Sequence, residues 1–112
     1  MTDNTDKRLL VLTNLPDQET ALELAKSLVE KRLAACVNVL DGCTSVYRWQ
    51  GEIETGREVP LLIKTRAECF ASLKEEILLR HPYDLPEIIA FGVEQGHEPY
   101  LAWIGAETDI SG

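Results

Sequence analysis

The chain has 112 residues, 45% of them hydrophobic, which suits one domain with a single buried core. Its formal net charge is −8, with 19 acidic residues against 11 basic ones and no cluster of Lys and Arg. That balance argues against nucleic acid and anionic membrane surfaces as partners.

No run approaches the ~18 apolar residues of a transmembrane helix. Met1 to Arg8 lacks the basic-then-apolar layout of a signal peptide. Residues 1–8 read as a frayed polar segment, residues 9–112 as one domain, and the expected compartment is the cytoplasm.

Leu9 to Leu12 is a short apolar run that predicts a central strand. Asn14-Leu15-Pro16-Asp17 then turns the chain, with Asp17 as a helix cap and Glu19 in the first turn. Ala21, Leu24, Ala25 and Leu28 form the apolar stripe of an amphipathic helix expected to run to about Leu33. Cys36–Leu40 and Ser45–Trp49 are β-rich, and Asp41-Gly42 between them is either a hairpin turn or a bend in one long strand. Gln50-Gly51-Glu52 turns the chain into Ile53 and a strand through Glu58–Lys64. Within it Pro60, lacking an N–H, belongs at an edge, a bulge or the point where pairing begins.

Thr65-Arg66-Ala67-Glu68 has the form of a capping box and predicts a second helix, with Phe70, Leu73 and Ile77 buried and Pro82 stopping it. Ile88 to Val93 is the next strand, and Pro99 to Ala106 a short terminal helix. The order β-α-β-β-α-β plus a tail predicts an α+β, ferredoxin-like split βαβ sandwich, its antiparallel sheet carrying both helices on one face. The other face would be left for a second subunit, so an oligomer is expected.

Cys36, Cys43 and Cys69 are an odd count with no zinc-like spacing, which predicts free thiols. The segment His81-Pro82-Tyr83-Asp84-Leu85-Pro86-Glu87 holds an imidazole, a phenol and two carboxylates on a stiff helix-to-strand connection. His81 is the best single metal ligand by type, with Glu87 and Asp84 able to add oxygens. The plain alternative is a histidine that hydrogen-bonds a helix-terminal carbonyl. Lys64, at the end of an apolar strand, could line a cleft with Tyr83 or Glu87 and hold an anionic small molecule, or simply lay its stem over apolar surface. Trp49, Tyr47, Tyr100 and Trp103 are amphipathic aromatics of the interface-anchoring kind. No Ser-His-Asp set, phosphate loop or HExxH is present, so no enzyme is expected.

Lys31-Arg32-Leu33-Ala34-Ala35-Cys36-Val37-Asn38-Val39 followed by Tyr47-Arg48-Trp49-Gln50-Gly51-Glu52-Ile53 resembles the CutA family of divalent-cation-tolerance proteins. The likeness continues through Leu62–Thr65, His81-Pro82-Tyr83 with Pro86-Glu87-Ile88-Ile89, and Tyr100-Leu101 with Trp103-Ile104. It implies a ferredoxin-like subunit in a compact homotrimer, with Trp49, Tyr47 and Tyr100 at the contacts. It also implies a non-catalytic part in tolerance of divalent cations such as copper, bound weakly around His81, Glu87 and Asp84 and not required for folding. Some bacterial members carry a Cys and a His-His pair where this chain has Thr13, Arg80 and His81, so only one of those ligands stands here. The likeness to trimeric nitrogen-regulatory proteins implies an alternative, a signalling or scaffold trimer whose intersubunit clefts, lined by Lys64, Tyr83 and Trp103, take a small molecule or protein.

Overall fold

The computed structural model describes residues 7–108, so most of the segment read as frayed, residues 1–6, lies outside the described residues. The chain order is β1 (Arg8–Leu15), α1 (Gln18–Glu30), β2 (Cys36–Val39), β3 (Cys43–Trp49), β4 (Glu52–Arg66), α2 (Phe70–Arg80), β5 (Ile88–Gly92) and α3 (Glu98–Glu107). Side-chain alternation builds the core from the first strand. Leu9, Val11, Thr13 and Leu15 lie opposite Thr65, Ile63, Leu61 and Val59 of β4, so all eight share one sheet face. Leu24 and Leu28 of α1 and Leu73 and Ile77 of α2 pack into the same apolar cluster. Both helices therefore cover one face, as the pattern predicts.

The sheet runs β2-β4-β1-β5, all neighbours antiparallel, with β3 paired to β4 off that path. α1 and α2 each connect two strands that have a third strand between them, which is the split βαβ arrangement. Asp41-Gly42 proves to be the bend rather than the hairpin turn, since β2 and β3 pair in succession along β4. The amide of Gln18 holds that bend by donating to the carbonyls of Leu40 (2.9 Å) and Asp41 (2.8 Å). The hairpin turn is Gln50-Gly51, with φ of 51° and 84°, the two positive values that match strand twist in a two-residue loop.

Pro60 sits at the junction of the two pairings. Its carbonyl accepts from Leu40 N–H at 3.0 Å, and β4 pairs with β3 up to Glu58 and with β2 from Leu61. The missing N–H thus falls where β4 changes partners.

Two local expectations fail. The α1 stripe predicts a helix to about Leu33, but the helix ends at Glu30 because Arg32 takes a left-handed φ of 60°. Arg32 N–H donates to Val29 O (3.0 Å) and Leu33 N–H to Leu28 O (2.9 Å), closing the helix as a Schellman motif without its usual glycine. Thr65 is no helix cap. It is fully buried in β4, its hydroxyl donates to Leu33 O at 2.7 Å, and α2 is entered through a 3-10 turn at Ala67–Cys69 with no side-chain cap.

The uncovered face of the sheet and the last helix expose apolar groups. Ile89 and Phe91 of β5 stand in solvent, as do Tyr100 and Trp103 of α3, whose rings lie 5.4 Å apart. Among the described residues no helix is long and apolar enough to cross a membrane.

Candidate functional site

Pro82 ends α2 as expected, and His81 is its C-cap, the backbone N–H donating to Ile77 O at 2.9 Å. The ring turns inward and is buried. Nε2 lies 2.6 Å from Asn14 O, and Tyr83 N–H points at Nδ1 from 3.2 Å. A carbonyl only accepts and a backbone N–H only donates, so the ring is the neutral tautomer with its proton on Nε2. Asn14 O needs that donor. Pro60, opposite Asn14, turns its carbonyl towards β2, so Asn14 turns towards β5, one residue past the last β1–β5 pair at Thr13 and Ile88. His81 caps a sheet carbonyl rather than the helix carbonyl the plain alternative expects.

This occupies both ring nitrogens. Nδ1 can meet a metal only if the Tyr83 N–H contact opens. The Asn14 side chain reaches the other way, its Nδ2 donating to Glu87 Oε1 at 3.2 Å. Asn14 therefore ties the end of α2 to the approach to β5, and its importance was not legible locally because its partners lie 67 and 73 residues away. Among the described residues no three His, Cys, Asp or Glu side chains converge to hold a metal ion. His81, Glu87 and Asp84 share a loop without forming a ready-made metal site.

A cavity of about 780 Å³ opens between this loop and the β3–β4 arm. Tyr83, Asp84 and Glu87 line it on the loop side, and Tyr47, Trp49 and Glu58 on the arm side. Tyr83 also packs on His81, the ring centroids 4.8 Å apart. Its phenol is pushed up to about 12, first by partial burial, then by the Glu58 carboxylate beside it and by Tyr47. Glu58 was not picked out from sequence, since its place opposite Tyr83 depends on the bend of the arm.

The other cleft candidates lie elsewhere. Lys64 donates to Asn38 Oδ1 at 2.6 Å and stands 3.9 Å from Cys36 Sγ, and Trp103 pairs with Tyr100 on α3. Tyr83 alone of Lys64, Tyr83 and Trp103 lines the cavity. The cysteines are free, with Cys69 buried and donating to Thr108 O at 3.1 Å. Thr13 is fully buried, and its hydroxyl has no hydrogen-bond partner among the described residues. Arg80 serves the fold: with Lys31 and Ser27 it surrounds Glu76 Oε2 at 2.6, 2.9 and 2.9 Å, joining α2 to α1. Those three contacts, Arg80 foremost, hold the Glu76 carboxyl down at about 2.

Known proteins share this architecture. The family described as CutA1 divalent ion tolerance protein matches residues 9–107. The divalent-cation tolerance protein CutA of Thermus thermophilus is 48% identical over 99 residues, covering 88% of this chain and 96% of its own. The solved structure of a Cut A1 divalent cation tolerance protein from the same organism superposes with a TM-score of 0.85 at 47% identity, covering 87% of this chain and 94% of that one. The crystal structure of CutA1 from Oryza sativa gives 0.89 at 38% identity, covering 95% and 97%. Mouse protein CutA is 46% identical over 84% of this chain, which spans only 53% of the mouse protein. The split βαβ sheet, the projecting arm and the His81–Asn14 closure thus stand on a chain that belongs to the CutA1 divalent ion tolerance family.

Proposed function

We propose that this protein acts in tolerance of divalent cations, as a cytoplasmic homotrimer that binds ions such as copper directly, with modest affinity and without turnover. The observation that carries the reading is the family match from residue 9 to residue 107, which leaves no element of the fold outside it. The ligands in this reading are the Asp84 and Glu87 carboxylates on the loop. His81 joins only when Nδ1 is released from Tyr83 N–H, which accounts for an affinity below that of a closed four-ligand site.

Trimer formation is supported by the apolar groups left in solvent by one chain. Ile89 and Phe91 on the open sheet face, Tyr100 on α3, and Tyr47, Trp49, Val46 and Ile53 on the arm are all exposed. Both sheet edges, β2 and β5, also end unpaired among the described residues. A ring of copies would cover such groups.

The test is calorimetric titration of metal-free protein with Cu²⁺, Zn²⁺ and Ni²⁺, after light scattering has fixed its mass. Saturable heat near one ion per subunit, reduced in a D84N/E87Q variant of unchanged mass, is the expected result. An intact trimer with no saturable heat would refute direct binding, and a monomeric mass would refute the assembly.

A further inference from the structure

The cleft between the arm and the His81 loop holds three aromatic rings and a carboxylate, Glu58, that metal binding at Asp84 and Glu87 does not use. Strand alternation decides which side chains face it. Opposite Trp49, Tyr47, Ser45 and Cys43 stand Glu52, Glu54, Gly56 and Glu58, and these eight share one face of the arm. Arg48 and Arg57 belong to the other face. The Arg57 guanidinium lies against Gly42, its Nη2 3.2 Å from where a Cβ would be. Both arginines still border the cavity, and the arm face that alternation turns towards it carries Tyr47, Trp49 and Glu58.

The loop adds the same chemistry. Tyr83, Asp84 and Glu87 line the opposite wall, and the Asn14 contact to Glu87 Oε1 leaves the second carboxylate oxygen for a ligand. The Tyr83 phenol is raised in this setting, first by partial burial and then by Glu58, Tyr47 and Asp17. At about 780 Å³ the space is that of a small-molecule site.

We propose that this cleft binds an organic ammonium ion, with Tyr47, Trp49 and Tyr83 as the aromatic wall and Glu58, Asp84 and Glu87 as the charge that faces it. An anion would meet carboxylates on both walls. A divalent ion held by Asp84 and Glu87 would use the loop wall alone and leave Glu58 and the three rings without a part. A diffuse, weakly hydrated ammonium is held by ring faces and by carboxylates at longer range, and requires no fixed coordination shell.

The experiment compares choline with its uncharged isostere 3,3-dimethylbutan-1-ol, titrated by calorimetry into the full-length protein in EDTA at fixed ionic strength. EDTA removes divalent ions, so the result is independent of metal binding. Saturable binding of choline about tenfold or more tighter than the alcohol is expected, since the two differ chiefly in charge. E58Q and D84N, each with the light-scattering mass of the parent, should each weaken choline several-fold and leave the alcohol unchanged. Equal affinity for both probes would overturn the proposal, as would no saturable choline binding. Choline binding undiminished in both variants would place the ligand outside this cleft and overturn it equally.

Discussion

Glu76 offers a direct test of how the two core helices are joined. Its Oε2 accepts from Ser27 and Lys31 on the α1 side and from Arg80 on its own helix, with 8% of the residue exposed. The folded carboxyl titrates near 2 instead of 4.5. A depressed carboxyl contributes stability above its unfolded pKa and loses it as pH falls through the folded one, so the window here runs from about 4.5 down to about 2. At ~1.4 kcal/mol per tenfold change in proton affinity, the ceiling is about 3 kcal/mol. Lys31 and Arg80 are 50% and 45% exposed, and solvent screening of such partners brings the expected value down to about 1–2 kcal/mol. E76Q should therefore unfold in urea with about 1–2 kcal/mol less stability at pH 7. The gap should close as pH approaches 2, because the protonated acid and the amide are then nearly equivalent. Both proteins must be measured at one protein concentration and ionic strength, since assembly and screening also move the midpoint. A gap that stays constant from pH 7 to pH 2 would refute the ionic account and assign the loss to packing.

Three further outcomes follow from the same geometry. T13V should raise the urea midpoint by the equivalent of about 1 kcal/mol, because it deletes a buried hydroxyl without a partner among the described residues; a lower midpoint would reveal a buried water on that oxygen. H81L should cost about 1–3 kcal/mol by stranding Asn14 O, while H81Q, which keeps a donor, should cost less. Equal losses in the two variants would show that the ring matters for volume rather than for its hydrogen bond. In an ultraviolet titration one of the three tyrosines should ionise only near pH 12, and Y83F should remove that late step. Because this phenol is raised from 10.0, the stability it contributes is complete below pH 10 and falls as pH rises towards 12.

What the sequence made legible was whatever one helix turn or one strand could decide. Asp17 caps α1 as expected, accepting from Thr20 N–H at 2.8 Å, because both groups lie within four residues. The apolar spacings of α1 and α2 and the order of the strands follow from local periodicity in the same way. The errors have the opposite character. Thr65 satisfies a capping-box pattern, yet the carbonyl that takes its proton is Leu33, 32 residues earlier in the chain. The early end of α1 rests on Arg32 in a conformation that normally announces itself with glycine. His81 stood out by type, but the direction of its ring was set by Asn14, and nothing near His81 points to that partner. Lys64 and Tyr83 were each plausible lining for a cleft between subunits; within one chain Lys64 stands beside Asn38 in the core half of β4, and Tyr83 lines the cavity at the arm.

The cleft is therefore best understood as a product of two long-range closures. On one side, β4 is a single strand of 15 residues whose first half belongs to the arm and whose second half belongs to the core. The change of partner at Pro60, together with the bend at Asp41-Gly42 that Gln18 holds, sets the angle at which the arm leaves the sheet. On the other side, Asn14 receives His81 through its carbonyl and Glu87 through its amide, fixing both ends of the loop that carries Tyr83. These closures commit most of their polar groups to the fold. The groups left over, Tyr47, Trp49, Glu58, Asp84 and the second oxygen of Glu87, face one another across the gap because those closures are rigid. His81, the most reactive-looking side chain in the sequence, acts in this architecture as the fastener that positions its neighbours.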